Sequence, residues 1–223
     1  KQGRMHPEIS SFSNEIFYEK KLKPIPLKHQ LEILHCPSYD KSDGLQNLIA
    51  SHRLAFIVSK GDKNPISDKT NKDEAIRISA LLKTIYTINK NNFNPQTVGV
   101  IVPYRNQIAL IRKEIKQLNI PALSDITIDT VERYQGSERD FIIYGFTVQK
   151  IYQLEFLTGN VFKDNGQTID RKLNVVLTRA RKQLFLIGNP QILSYNIIFQ
   201  KLIKFIDNRQ GVCDIPTEYF IQG

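Results

Sequence analysis

Short apolar runs alternate along the chain with longer segments in which apolar residues recur at helical spacing. The runs LAFIVS at 54–59 and TVGVIV at 97–102 are continuously apolar and partly β-branched, as is typical of strands buried on both faces. Within 67–90, apolar residues recur every three or four positions, which indicates an amphipathic helix. The pattern predicts strands at 54–59, 97–102, 126–130, 140–148 and 183–188. It predicts helices within 1–22, near 43–50, and at 67–90, 105–118, 169–181 and 190–208.

This alternation predicts an α/β fold in which helices cover both faces of a mainly parallel sheet. Ligands of such sheets bind beyond the carboxyl ends of the strands, so we expect the chemistry at that edge. Residues 23–53 are interrupted by Pro24, Pro26, Pro37 and Gly44, and we predict an irregular connection there.

The chain of 223 residues carries a net charge of +9 with histidine neutral. Such an excess of positive charge favours an anionic partner, such as nucleic acid or a nucleotide. The alternative is a basic surface that is only solvated. Hydrophobic residues make up 41% of the chain, which is enough for a substantial core.

Cysteine and histidine usage gives no sign of a metal site. Cys36 and Cys213 are far apart, no CxxC or Cys/His ligand spacing occurs, and the histidines form no HExxH motif. The cysteines are expected to be ordinary thiols of a reducing compartment. No apolar run reaches the length of a membrane span, and the opening KQGRMHPEIS lacks the apolar segment of a signal peptide. We therefore expect an intracellular, cytoplasmic protein without membrane contact, and the missing initiator Met predicts a fragment of a longer protein.

Several familiar active-site motifs are missing from the sequence. There is no P-loop, GxxxxGK[ST], and no GxGxxG, GxSxG or paired-carboxylate pattern. The segment DEAI at 73–76 superficially resembles a magnesium-binding motif. It lies in the first turn of a predicted helix, where the helix dipole favours acidic residues, so no metal role is expected. The chain therefore shows no complete active site of its own.

Two arginines, Arg179 and Arg181, stand between a helical pattern and an apolar run in LNVVLTRARKQLFLIGNP at 173–190. On a helix with about 100° per residue, Arg179 falls on one flank of the apolar stripe and Arg181 on the other. Arginines on opposite flanks are not expected to serve the same site. One of them can reach a ligand at the sheet edge, while the other forms a structural ion pair.

The segment LNVVLTRARKQLFLIGN resembles motif VI of superfamily 1 helicases, in the Upf1-like group that also contains Dna2-like and Sen1-like enzymes. Further segments are similar to motifs of the same group, in the same order. RMHPEISSFSNEIFYEKKL at 4–22 resembles the RMHP segment that opens the second RecA-like domain, VGVIVPYRNQIALIRKEI at 98–115 resembles motif IV, and ITIDTVERYQGSERDFIIYGFT at 126–147 resembles motif V. The resemblance implies that residues 1–210 are the second RecA-like domain, with 1–22 as its RMHP segment and 211–223 as a C-terminal tail.

The resemblance also implies a RecA-like three-layer sandwich that lacks its own P-loop. In this group the P-loop and the magnesium-binding aspartate belong to the first RecA-like domain, and ATP binds in the cleft between the two domains. The implied cofactors are therefore ATP and Mg²⁺ in the full-length enzyme. The implied partners are single-stranded DNA or RNA and the first domain of the same chain. The implied activity is ATP-dependent movement along the strand, from 5′ to 3′, with separation of duplexes.

The resemblance assigns catalytic roles to three charged residues. Arg179 in LTRA and Arg4 in RMHP match arginine fingers of the group, whose planar, permanently charged guanidinium stabilises the negative charge that develops on the γ-phosphate. Glu138 in QGSERD matches the motif V glutamate and is expected to position one of these arginines or the attacking water. The alternatives are surface ion pairs for the arginines and an ordinary loop carboxylate for Glu138. Arg181 is expected to be mainly structural.

Two residues that precede Glu138 are implied to lie beside the nucleotide. Gln135 would offer its amide to the nucleotide or to the surrounding motifs, and Gly136 would permit a tight turn beside the ligand. One position departs from the family, whose members usually have an aromatic residue just before RMHP that stacks on adenine. This chain has Gly3 there, so either another side chain covers the base or base selectivity is loose.

Motifs IV and V imply the nucleic-acid track, which in this group crosses the top of both domains. Pro103 and Tyr104 of motif IV, and Thr130 and Val131 of motif V, match positions close to that track. A hydroxyl can bond to phosphate, and a tyrosine can stack on a base or bond to phosphate. The alternatives are a core-edge aromatic for Tyr104 and a strand-end hydroxyl for Thr130.

A second hypothesis comes from a different class of protein. The chain could be a noncatalytic module, derived from a helicase domain, that only binds nucleic acid or another protein. The glycine at position 3 keeps this hypothesis open. Under the first hypothesis the chain alone hydrolyses little ATP, because it has no P-loop.

Overall fold

The main sheet is built from the apolar runs of the sequence. The computed structural model describes residues 2–18, 20–34, 36, 39–62, 65–134, 136–159, 161–164 and 167–221. Its strands are β1, Leu54–Val58; β2, Val98–Val102; β3, Thr127–Thr130; β4, Arg139–Gly145; β5, Val161–Asp164; β6, Gln167–Asp170; β7, Ala180–Gly188; and β8, Val212–Cys213. Six of them form one sheet in the order β3-β2-β4-β7-β1-β8, in which every neighbouring pair is parallel. β5 and β6 form a separate antiparallel hairpin.

Helices connect the strands and cover the sheet. They are α1, Pro7–Ile16; α2, Lys28–Leu31; α3, Gly44–Ser51; α4, Lys72–Ile88; α5, Arg105–Gln117; α6, Leu154–Thr158; α7, Arg171–Leu177; α8, Pro190–Leu193; α9, Ile197–Asp207; and α10, Thr217–Ile221. Short 3₁₀ turns occur at Pro121–Leu123 and Ile151–Gln153. α4 begins where the Asn71 side chain accepts a hydrogen bond from the Glu74 N–H, so Asn71 caps the helix.

Two apolar cores lie on opposite faces of the sheet, because successive side chains of a strand point to opposite faces. Along β7, Leu184 and Leu186 join the core beneath α1, α7 and α9, and Phe185 and Ile187 join the core beneath α3, α4 and α5. All four side chains are fully buried, and each such burial stabilises the fold by about 1.5–3 kcal/mol. The predicted three-layer α/β sandwich with a parallel sheet is confirmed.

The predicted helix at 169–181 is shorter than expected. It ends at Leu177, and the N–H of the following residue, Thr178, donates to the carbonyl of Asn174 in the last turn. Ala180 then pairs with Arg139 across β4 and β7. The chain leaves the helix because β7 lies between β4 and β1 and its backbone groups pair on both sides.

The predicted helix at 190–208 is interrupted. Asn196 separates α8 from α9, and its side-chain oxygen accepts hydrogen bonds from the N–H groups of Ile198 and Phe199. A side chain that caps a new helix competes with continuation of the old one, so the apolar periodicity runs through a real helix boundary.

Residues 212–221, predicted as part of a C-terminal tail, pack onto the domain. β8 extends the sheet beside Phe56 and Ile57 of β1. The buried guanidinium of Arg77 in α4 donates to the Ile215 carbonyl at 2.8 Å and to the Thr217 hydroxyl at 2.9 Å. The packed domain therefore extends beyond residue 210.

Each helix in the described ranges falls short of the length and apolarity needed to cross a bilayer.

Candidate functional site

The predicted site residues lie at two opposite edges of the parallel sheet. Arg179 immediately precedes β7 and Glu138 immediately precedes β4, so both are at the amino ends of central strands. Tyr104 follows β2 by two residues and Val131 follows β3 directly, at the carboxyl ends. The charged candidates therefore lie at the amino edge of the sheet and not at the carboxyl edge, where we expected the chemistry. The reason is that motif VI enters β7 directly from the end of α7.

Arg4 and Glu138 form an ion pair at the amino edge. Nε of Arg4 lies 2.8 Å from Oε2 of Glu138, and the two side chains are 41% and 39% exposed. Nη1 of Arg4 also reaches the carbonyl of Thr178 at 3.5 Å, in the turn between α7 and β7. The RMHP segment and motifs V and VI thus meet at one solvent-accessible point.

Arg179 is held by neutral oxygen atoms. Its guanidinium donates to the carbonyl of Val175 at 3.1 Å, the carbonyl of Ser137 at 3.4 Å and the hydroxyl of Thr178 at 3.1 Å. The residue is only 9% exposed. Burial lowers the pKa of Arg179, the positive charge of Arg4 lowers it further, and Glu138 raises it. Among the described carboxylates, none lies within 4.0 Å of this guanidinium, so its orientation comes from neutral oxygens.

Arg181 lies in β7 and not on a helix flank. Its Nη2 is 2.5 Å from Oδ1 of Asp140, and its Nη1 is 3.8 Å from Oε1 of Glu138. Glu138 therefore interacts with Arg4, Arg181 and, through its field, Arg179. The helical projection that placed Arg179 and Arg181 at different sites is wrong, because the helix ends before either residue.

Hydrogen bonds to main-chain carbonyls hold the RMHP segment in place beside β7 and α2. The N–H of His6 donates to the carbonyl of Arg181 at 2.9 Å. The Gln30 amide donates to the carbonyl of Met5 at 2.7 Å, and Nε2 of His29 lies 2.8 Å from the carbonyl of Arg4. The connection at 23–53 contains α2 and α3. Its side chains His29 and Gln30 bond to the backbone of Arg4 and Met5 and so help to position Arg4.

The residues implied to lie beside the nucleotide are only partly described. Gln135 lies outside the described residues. Gly136 has a φ of +85°, a conformation that side-chain-bearing residues rarely adopt. A Cβ at this position would meet nothing within 4 Å, so backbone conformation and not space requires glycine here.

Apolar side chains fill the space beside Gly3. A Cβ at this position would lie 3.2 Å from Cδ1 of Leu27 and 3.3 Å from Cδ1 of Ile25. Leu27 and Ile25 are themselves 42% and 38% exposed. An aromatic ring at position 3 would require both side chains to move, and they present apolar surface next to Arg4.

The residues predicted for the nucleic-acid track differ in accessibility. Pro103, Thr130 and Val131 are buried, and the Val131 side chain belongs to the core. Their side chains offer little surface to a nucleic acid, so any contact would use their backbone. Tyr104 is half-buried and stacks on Phe156, with ring centroids 5.0 Å apart and planes at 22°. Phe156 lies outside the segments that resemble helicase motifs, so the sequence did not predict this stacked pair.

A buried carboxylate lies at the carboxyl edge of the sheet. Glu74 accepts hydrogen bonds from the N–H of Thr147 at 2.8 Å and from the hydroxyl of Ser59 at 3.3 Å. Burial raises the pKa of Glu74 from 4.5 to about 8, and the nearby charge of Asp73 raises it as well. Asp73 pairs with Arg77 at 2.8 Å. The acidic pair at the start of α4 thus joins the ends of β1 and β4 to the helix.

Nowhere in the described part of the chain do three or more His, Cys, Asp or Glu side chains come together in a way that could hold a metal ion.

Comparison with known proteins then decides the family. The sequence profile described as AAA domain matches residues 1–191. The chain belongs to this AAA-domain family. Curated relatives of the AAA-domain chain include helicases, so the predicted membership of the Upf1-like and Dna2-like group of superfamily 1 helicases is confirmed.

This chain corresponds to only a part of each of three relatives. An uncharacterized ATP-dependent helicase of Methanocaldococcus jannaschii is 28% identical over 92% of this chain and 28% of that protein. The DNA replication ATP-dependent helicase/nuclease DNA2 of Homo sapiens is 25% identical over 97% of this chain and 21% of that protein. A regulator of nonsense transcripts 1 homolog of Drosophila melanogaster is 26% identical over 94% of this chain and 16% of that protein. The chain thus spans less than a third of each relative.

Proposed function

We propose that this chain is the second RecA-like domain of an ATP-dependent helicase and that it supplies arginine side chains to ATP bound against the first domain. One observation carries the proposal: Arg4, Arg179 and Glu138 come together at the accessible amino edge of β4 and β7 from three separate motifs. The relatives of this chain support a helicase domain, and the roles of the arginines are proposed from the site.

The side chains at this edge fit a phosphate group. The guanidinium of Arg179 keeps its charge although it is largely buried, because arginine is protonated at any physiological pH. Its donors are oriented by the carbonyls of Val175 and Ser137 before any ligand arrives, so little reorganisation is needed when negative charge develops beside it. An arginine placed at the γ-phosphate contributes about 10³–10⁵ in rate.

Glu138 acts in this proposal as a positioning residue. It holds Arg4 by an ion pair and lies between Arg4 and Arg181, whose like charges would otherwise repel. Arg4 is half-exposed, so it can turn from Glu138 towards a phosphate oxygen without breaking the core. Magnesium, when bound, would neutralise phosphate charge, and its ligands and the P-loop are expected in the first domain.

The nucleic-acid track is proposed at the opposite, carboxyl edge, where Tyr104 lies. The two edges are joined by β4, which has seven residues and therefore spans about 20 Å. A rigid sheet between the two sites allows a change at the nucleotide to move the surface that contacts the strand.

The test is ATP hydrolysis by the intact gene product with and without single-stranded DNA or RNA, beside the isolated chain. We expect hydrolysis by the intact protein to rise with nucleic acid, and the isolated chain to be almost inactive. Robust hydrolysis by the isolated chain would contradict the proposal that the P-loop needed for hydrolysis belongs to a first domain.

A noncatalytic binding module is the second candidate, and Gly3 is the observation that favours it, since no ring is available there to stack on adenine. The half-exposed Leu27 and Ile25 beside Gly3 offer an apolar cover instead. An intact protein that binds single strands but never hydrolyses ATP would support this second candidate.

A further inference from the structure

An exposed aromatic surface lies next to Tyr104, in a segment to which no motif assigns a function. Its residues follow β4, in the 3₁₀ turn at Ile151–Gln153 and in α6. Tyr152 is 57% exposed and Phe156 is 46% exposed. By contrast, Leu154 and Leu157 of the same segment are buried in the core. The segment thus anchors itself with its leucines and leaves its aromatic rings in solvent.

Contacts with neighbouring side chains hold the rings in place. A surface that only faces solvent needs no such contacts. Phe156 stacks on Tyr104 with ring centroids 5.0 Å apart, and the ammonium of Lys172 lies 4.0 Å from the Phe156 centroid. Lys172 in turn pairs with Glu132 at 3.2 Å. The hydroxyl of Tyr152 donates to Asp68. Tyr104 and Lys172 cover Phe156, so Tyr152 is the ring with the more open surface.

The same surface connects the two motif segments predicted to contact nucleic acid. Tyr104 belongs to the segment that resembles motif IV, and Glu132 follows Thr130 in the segment that resembles motif V. Exposed cationic residues adjoin the aromatic residues in sequence: Arg105 follows Tyr104, and Lys150, which pairs with Asp68 at 3.2 Å, precedes Ile151. Aromatic faces with cations beside them suit unpaired bases on a phosphate backbone.

We propose that Tyr152, exposed in the same segment as the Phe156 ring that stacks on Tyr104, is a stacking surface for unpaired bases of a single-stranded nucleic acid. The proposal rests on the proposed function, because it places the strand at the carboxyl edge of the sheet. It adds residues from a segment outside the motifs. Stacking needs only the π face of a base, so the surface is expected to accept any base sequence.

The test compares two oligonucleotides of equal length, one of thymidines and one of abasic sites, by fluorescence anisotropy on the intact gene product. Removing a stacked ring typically weakens binding by about tenfold. We expect Y152A to weaken binding of the thymidine strand about tenfold and to leave the abasic strand unchanged. Y152F should bind as the original protein does, whereas Y152L, which keeps apolar bulk, should not. Y195A is the matched control, because Tyr195 is 71% exposed in the turn before α9.

A second measurement keeps the proposal falsifiable if an alanine variant is unstable. This chain contains no tryptophan, so Y152W introduces a new fluorophore at the proposed surface, which is read as the difference in emission between the variant and the original gene product. Its fluorescence should be quenched by the thymidine strand and not by the abasic strand.

The outcomes separate the two proposals. If the original protein binds neither these strands nor their RNA counterparts, the proposed function fails and this inference fails with it. If the protein binds both strands and Y152A leaves the thymidine strand unaffected, only the stacking surface is overturned. Equal weakening of both strands would show that the surface contacts the backbone and does not stack on bases.

Discussion

Oε2 of Glu138 lies 2.8 Å from Nε of Arg4, an ion pair that joins motif V to the segment that opens the domain. Because β4 and β7 are neighbours, Arg181 brings a second guanidinium within 3.8 Å of the same carboxylate. One carboxylate therefore connects three segments that are distant in sequence. If the edge serves ATP hydrolysis, the charge of Glu138 should matter more for rate than for stability.

Glu138→Gln keeps the size of the side chain and removes its charge. Arg4 then loses its partner, so we expect kcat for nucleic-acid-stimulated ATP hydrolysis by the intact gene product to fall about tenfold. The free energy of unfolding should change little, because half-exposed ion pairs contribute little to stability. Asp140→Asn is the control, since Asp140 contacts Arg181 and Lys182 without contacting Arg4. Equal rates for both variants and the original protein would make Glu138 an ordinary loop carboxylate.

Arg4→Lys tests the shape of the cation. Arg4 reaches both Glu138 and the carbonyl of Thr178, which a single ammonium group cannot match with the same geometry. We expect Arg4→Lys to lose about as much of the hydrolysis rate as Arg4→Ala, about 10³-fold. Steady-state kinetics of the two variants decide the point. A lysine variant close to the original rate would show that Arg4 supplies only positive charge.

Gly136→Ala tests the turn that precedes Glu138. The φ of +85° disfavours a side chain, although nothing lies within 4 Å of the added Cβ. We expect the free energy of unfolding in urea to fall by about 1 kcal/mol. Gly61→Ala is the control, because Gly61 has no positive φ and its Cβ would meet only Gln149 at 3.6 Å. A neutral Gly136→Ala beside a neutral control would rule out conformational strain at this turn.

Glu74 predicts a pH dependence of stability. Its pKa is raised on folding from 4.5 to about 8, so between these values the folded state holds a proton that the unfolded state releases. The free energy of unfolding should therefore fall as pH rises through this window, by about 1.4 kcal/mol per pH unit at most. Glu74→Gln mimics the protonated carboxyl and should flatten this slope. Urea unfolding at pH 5.5 and pH 7.5 measures it, and an equal slope in the variant would contradict a protonated Glu74.

Much of the fold was predictable because buried parallel strands leave continuous apolar runs. The predicted strands at 54–59 and 97–102 correspond to β1 and β2 within a residue. The errors occur where a backbone contact overrides periodicity. Apolar residues continue at helical spacing past Leu177, yet the pairing of Ala180 with Arg139 draws the chain into the sheet.

The sequence predicted which residues belong to the candidate site but not how they contact one another. Motif resemblance named Arg4, Glu138 and Arg179, but no spacing in the sequence could place Arg4 beside Glu138. That contact depends on strand order, which hydrophobic patterns do not encode. The exposed ring of Tyr152 was missed for a related reason, since sequence alone does not tell an aromatic residue in the core from one on the surface.

Single-turnover hydrolysis of ATP by the intact gene product, saturated with single-stranded nucleic acid, tests the central claim most directly. We predict that Arg179→Ala binds ATP but hydrolyses it about 10³-fold more slowly or worse, because the charge on the γ-phosphate is no longer stabilised. Arg209→Ala, which removes an arginine that donates to a carbonyl of α9, should hydrolyse ATP at the original rate. An Arg179→Ala protein that hydrolyses ATP as fast as Arg209→Ala would contradict the proposed role of this edge of the sheet.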